Sequence, residues 1–352
     1  MKLKISALNF LIVTFLTNSL YGLSFKFSQY NHQIVLDLIN NNLSSRDFSI
    51  DSPLNYLIPS LLKIENFDIY LIYIFAITQI ALIWICFKIQ ILGTYHYLFL
   101  FSGWLVSVSW FIGYQDSIVV LLTIYLFEET NLVADFRLRK LIVVIYLLTL
   151  MHSAFSLGLL IICFYLNSEK LKIKFFVFSA FAYISAFLTN QVIKSYMDFG
   201  GRGRFRFLLN NNVVSDSINL MNENFNYIFY SGFLGTIVMI VLVVFISDSK
   251  TIANVVISLI VAILLSSIAL DSSRVFSILI VPVVLKIISI LKDASLKIEY
   301  KKTVAIFVVV ITLVFQEFHV YGKVHNSTPF NDIDLYQFFI NSLDTLFSGF
   351  LT

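Results

Sequence analysis

The chain has 352 residues, of which 59% are hydrophobic and 13% charged, with a mean hydropathy of +0.87; soluble domains carry roughly 25% charged residues. That balance excludes a water-soluble globule and points to an all-α polytopic integral membrane protein, a single membrane domain over 1–352. The net charge of +3 is scattered through short loops and gives no basis for nucleic-acid binding, while Cys86 and Cys163 fall inside apolar runs, so no disulfide framework and no metal site is expected.

In chain order, MKLKISALNFLIVTFLTNSLYGLSF opens with two lysines and an apolar run of about 20 residues. It begins as a secretory signal would, but it lacks an A-x-A-like cleavage site, so an uncleaved first span at 5–24 is expected. The segment 26–68 follows as a long loop. In QYNHQIVLDLINNNL, Ile34, Val35, Leu38, Ile39 and Leu43 share one side and Gln33, Asp37, Asn40 and Asn41 another, which predicts a helix lying in the membrane interface. SSRDFSIDSP then offers Ser45 or Asp47 as a cap and Pro53 as the opening of a further helix. Spans are expected at 69–87, at 175–196 and at 227–247, 251–270, 275–291 and 303–319. The run 91–127 is too long for one span and divides at GYQD, Gly113–Asp116. The run 141–166 reads as one long helix or as a hairpin of two short ones turning at Met151–Phe155.

The distribution of basic residues decides between these. With the hairpin, fourteen lysines and arginines fall in short loops on the cytoplasmic side, nine fall outside, and Lys286 lies near the inner end of its span. A single helix would put the lysines of 167–174 and 292–302 outside, so about eleven transmembrane helices are expected, N-terminus inside and C-terminus outside. The outer surface then comprises the loops 26–68 and 197–226, the DSSR turn Asp271–Arg274, and a tail, 320–352. In that tail FNDIDLYQFFINSLDTLF has helical apolar spacing, and the Asn326-Ser327-Thr328 sequon is discounted as a chance match.

Two features of this surface carry chemistry. GGRGRFRF, Gly200–Phe207, holds three of the seven arginines; in an extended chain Arg202, Arg204 and Arg206 share a face, and Gly200, Gly201 and Gly203 let the backbone bend around a ligand. Three guanidiniums on one face match a pyrophosphate, the alternative being contact with lipid head groups. Arg274 sits at membrane depth, where a charge is costly unless paired; it is either functional or one half of a local Asp271–Arg274 pair capping the turn. His152, between two half-length helices, is structural or catalytic, and Asp116 is read as the cap of a helix beginning at Ser117. Walker, GxGxxG and HExxH motifs are absent from the sequence, as is any convincing internal repeat of the transporter kind.

DLINNNLSSRDFSID, MHSAFSLGLL, GGRGRFRF and DSSRVFSILIVP, in this layout, resemble the O-antigen and exopolysaccharide polymerases, the Wzy-type and EpsG-like proteins, within or near the GT-C polyprenyl-linked glycosyltransferases. The chain departs from the GT-C pattern in lacking a D-x-D pair in its first loop, which counts against a GT-C metal site and favours the polymerase branch. The resemblance implies a bacterial inner-membrane glycosyltransferase that joins polyprenyl-pyrophosphate-linked repeat units of O-antigen, capsule or exopolysaccharide on the outer face, without a cofactor. Its partners would be the lipid-linked saccharides, membrane lipid, and a chain-length regulator or flippase. In that setting Arg202, Arg204, Arg206 and Arg274 would bind pyrophosphate, and Asp37 or Asp47 would act as general base, with His152 as a further catalytic candidate. The alternatives are a single-transfer GT-C enzyme and a flippase or transporter of lipid-linked saccharides.

Overall fold

A computed structural model describes residues 2–17, 24–25, 27–40, 53–131, 138–167, 173–196, 212–269, 271–294, 298–314, 318–321 and 323–326. These are almost entirely helical, as expected for a chain that must satisfy its backbone within each segment when water is excluded. Four helical stretches are long and apolar enough to cross a membrane: Phe67–Gly93, Phe175–Ser195, Phe225–Ile246 and Ser249–Ser266. A fifth is the pair Ser272–Leu279 and Val281–Asp293, bent by 40°, if it counts as one span. Their outward faces carry large apolar side chains such as Trp84, Phe181, Val192 and Phe245, more than half exposed, the pattern of a surface that meets lipid rather than water.

Helix α1 (Lys2–Phe15) packs on α4 (Phe67–Lys88), tied by Asn9 Nδ2 donating to the Cys86 carbonyl at 3.3 Å. Between them α2 (Ser28–Ile39) and α3 (Leu54–Leu61) form a small unit with its own core. The α2 faces are those read from the sequence, but the expected interfacial helix is corrected. Ile34, Val35 and Leu38 pack on Tyr56, Ile64, Tyr70 and Leu71, so its apolar face is spent on protein rather than on the bilayer. Asn66 starts α4, its Oδ1 accepting from the amides of Asp68 and Ile69.

The region 91–127 departs most from expectation. Residues Ile89–Phe101 form a 3₁₀ stretch kinked at Gly93 (φ +68°), followed by the short α5 (Trp104–Trp110) and a 3₁₀ turn at Ile112–Tyr114. Close packing explains why no regular span forms here. The Gly103 amide donates to the Gly232 carbonyl at 2.8 Å, and a Cβ on Gly103 would run into the Ser231 carbonyl oxygen. Gln115, at φ +56°, then turns the chain into α6 (Asp116–Asn131).

After α6 come α7 (Leu138–Met151) and α8 (Ser153–Leu166), broken at His152. Lys140, near the start of α7, pairs with Glu129 in the last turn of α6, and Asn167, just past α8, donates to Thr130 of that same turn at 3.2 Å. Both ends of the α7–α8 pair therefore meet one end of α6, so the chain reverses at His152 and the two-helix reading of 141–166 holds. Helix α9 (Ile173–Tyr196) packs on α7; then follow α10 (Val213–Glu223), α11 (Phe225–Phe233), α12 (Ile237–Ile246), α13 (Ser249–Ser266), the bent pair α14 (Ser272–Leu279) and α15 (Val281–Asp293), and α16 (Ile298–Val314). Helix α16 is described as far as Val314, and the expected span 303–319 does not run to its end, because Phe318–Tyr321 pairs antiparallel with Lys323–Asn326 in a hairpin whose first strand lies against α11 and α14.

Helix α6 fixes two ends of the molecule. Glu128 and Glu129 stand about 18–20 Å along the axis from Asp116, at 1.5 Å per residue. The glutamate end collects Lys88, bonded to Glu128 at 2.9 Å, Lys140 and the Tyr125 ring beneath both lysines, while Lys301 donates to the Lys292 carbonyl at the end of α15. The other end holds the Arg274 cluster.

Candidate functional site

Three short stretches meet at that second end because each is a break in an apolar helix: the GYQD turn before α6, His152 between α7 and α8, and the DSSR turn before α14. Arg274, in the first turn of α14, is buried at 5% exposure. Its Nε donates to Asp116 Oδ2 at 2.6 Å and its Nη2 to Asp116 Oδ1 at 2.8 Å, while Nη1 donates to Asp271 Oδ2 at 2.6 Å. The Asp116 contact is a two-pronged match of planar groups, the strong form of this pair. The guanidinium lies 4.2 Å from the centroid of Tyr114, 5.3 Å from Phe111 and 5.5 Å from Phe155, and so is enclosed by aromatic faces that favour a cation.

Among the described residues the cluster joins one arginine to two aspartates. The Asp116 side chain is 0% exposed and Asp271 16%, so the cluster is anchored through Asp116 and reaches the surface through Asp271. The local Asp271–Arg274 pair expected from the sequence is present, but it is the lesser part of the arrangement. Asp116 is not merely a cap: α6 begins at Asp116 itself, and both carboxylate oxygens are engaged by Arg274. As a pyrophosphate ligand Arg274 is compromised, because three of its five N–H groups are already committed.

His152 occupies the cap position of α8. Its Nδ1 accepts from the Phe155 amide at 3.3 Å, and its ring stacks on that of Phe155 at 3.9 Å, so it touches the cluster through Phe155. Ser107 and Ser277 share a short hydroxyl contact below, and Ser277 also bonds the Arg274 carbonyl.

The α2–α3 unit packs over the GYQD turn. Phe27 stacks on Phe111 at 5.1 Å, Asn55 Nδ2 donates to the Tyr114 carbonyl at 3.1 Å, and Ser24 is tied to Ser109 through the backbone. A Cβ on Gly113 would lie 2.7 Å from Asn31 Nδ2 and push that side chain aside, so closely does α2 approach the turn here. Around the turn, Ser28 Oγ, Asn31 Nδ2, Asn55 Oδ1 and Ser117 Oγ are buried without a hydrogen-bond partner, each a state that costs free energy.

No family model, curated protein or solved structure matches the chain.

Asp37 follows Ser28 by nine residues, half a turn round the helix from the residue that faces Gly113, and it accepts from Gln33 Nε2 at 3.0 Å. Asp47, Arg202, Arg204 and Arg206 lie outside the described residues, as do the helix expected over 330–347 and the Asn326-Ser327-Thr328 sequon beyond Asn326. The Asp116–Arg274 pairing was missed by sequence reasoning, although a signal existed: GYQD and DSSR each strand a charge among apolar residues, and opposite charges so stranded call for each other.

Elsewhere in the α2–α3 unit, the His32 ring lies tilted against Tyr70, its Nε2 bonding the Ile64 carbonyl at 3.2 Å. Burial holds its imidazole below the usual value, against the opposing pull of the Ile64 and Glu65 carbonyls. Tyr56, which donates to Asn31 Oδ1 at 3.2 Å, is pushed well up, chiefly by burial. Among the described residues no group of three His, Cys, Asp or Glu side chains could hold a metal ion.

Proposed function

We propose that this chain is a membrane glycosyltransferase of the polysaccharide-polymerase type, joining polyprenyl-pyrophosphate-linked oligosaccharide units on the outer face of a bacterial inner membrane. The observation that supports this reading best is the buried Asp116–Arg274–Asp271 cluster at the meeting of four segments, the α2–α3 unit and the GYQD, His152 and DSSR turns. A structural ion pair needs one carboxylate. Here a second one reaches the surface, and buried hydroxyl and amide groups around the neighbouring GYQD turn are short of partners, a setting suited to a ligand rich in hydroxyls.

The short helices support a recessed site. Helices α7 and α8 have 14 residues each, about 21 Å at 1.5 Å per residue, against a hydrocarbon core of about 30 Å. In the proposed topology, the lysine-rich glutamate end is cytoplasmic and the Arg274 end faces outward, several ångströms below the rim. A saccharide head group on a polyprenyl tail can reach such a depth from within the bilayer. Arg202, Arg204 and Arg206 are assigned to the leaving pyrophosphate, whose charge grows as the glycosidic bond to it breaks, so that arginines binding it better at that moment lower the barrier.

The test is replacement of each of these three arginines by Ala in cells. The proposal expects long polysaccharide to vanish while single-unit capped lipid persists; unchanged chain lengths in all three variants contradict it.

A further inference from the structure

We infer that Asp271 is the general base of the proposed transfer, held in place by Arg274, which is itself anchored by Asp116. This rests on the polymerase reading and adds the residue that activates the acceptor.

The carboxylates near the cluster differ in what they can do. Asp116 is fully enclosed and has both oxygens on Arg274, so it cannot meet a substrate. Asp37 faces the other way on α2. Asp271 stands at the N-terminal boundary of α14. Its Oδ2 accepts from Arg274 at 2.6 Å, and it is the most exposed member of the cluster, at 16%. A carboxylate braced by a fixed guanidinium keeps one orientation, which is what proton abstraction in a transition state demands.

In the step, Asp271 takes the proton of the acceptor sugar's hydroxyl. The freed oxygen pair forms the bond to the anomeric carbon of the donor, and the bond from that carbon to the pyrophosphate breaks, its electron pair leaving with the polyprenyl pyrophosphate. The proton remains on Asp271 until it passes to water, and no further reactant is required. Arg274 and Asp116 act as positioning residues.

The experiment uses the full chain in nanodiscs with purified polyprenyl-pyrophosphate-linked oligosaccharide, following product length. Asp271→Ala is expected to lose roughly 10²–10⁴ in kcat, the usual worth of a positioned base, with KM little changed. Formate, as a small carboxylate, should restore part of that loss, and Asp271→Glu should retain part of the activity. Full turnover by Asp271→Ala overturns the inference, as does a loss that neither formate nor Glu relieves, since that pattern marks a structural role. Failure of the unaltered protein to lengthen the oligosaccharide overturns the polymerase reading instead, so the two failures are distinguishable.

Discussion

Arg274→Ala puts the energetics of the cluster to a direct test. The substitution strands Asp116, whose side chain is 0% exposed and loses both hydrogen bonds, and leaves Asp271 without its brace. Removing one partner of a buried ion pair costs about 3–5 kcal/mol, because the other charge remains desolvated and uncompensated. Asp116→Ala should cost less, since Arg274 keeps Asp271 at 2.6 Å and the aromatic faces of Tyr114, Phe111 and Phe155. Removing both charges with volume restored, Arg274→Met with Asp116→Leu, should recover much of the stability lost by Arg274→Ala, because no unpaired charge then remains at Asp116. The assay is the thermal midpoint of each purified variant in one detergent, with Arg274→Met and Asp116→Leu also made singly to close the double-mutant cycle. An additive cycle, in which the double variant loses the sum of the single losses, would refute the reasoning.

Two further predictions concern other parts of the chain. His32 has a depressed folded-state value, so its contribution to stability is fully present above the unfolded value of 6.5 and is lost as pH falls through the folded value; the thermal midpoint should drop below pH 6.5, and His32→Phe should drop less over that interval. A cysteine at Asn211 should react with a membrane-impermeant maleimide from the outer side in intact cells, and labelling from the cytoplasmic side alone would reverse the topology.

Local signals in the sequence carried to the structure; long-range pairings did not. The breaks at GYQD and MHSAF were legible because a charged or polar residue interrupts an apolar run too long or too irregular for one helix, and the faces of α2 were legible from its 3.6-residue period. What covers that apolar face was not, because Tyr56, Ile64 and Tyr70 come from other segments, and a hydrophobic stripe looks the same whether it meets lipid or protein. The 3₁₀ stretch Ile89–Phe101 was hidden for a similar reason: its residues are as apolar as those of a span, and it is the tertiary approach of Gly103 to Ser231 and Gly232 that limits the path. Arg274 stood out as a costly charge, but its main partner lies 158 residues away, a separation no periodicity reports. The functional weight given to Asp37 likewise followed from its polar face, which the fold turns away from the Arg274 end.

Glycosyl transfer between lipid-linked oligosaccharides can be followed by reconstituting the chain alone with polyprenyl-pyrophosphate-linked oligosaccharide and separating the products by length. Saccharides two or more units long are expected, with one free polyprenyl pyrophosphate released for each bond formed. Movement of the unaltered lipid-linked unit across the bilayer, with no longer product and no released pyrophosphate lipid, would contradict that expectation.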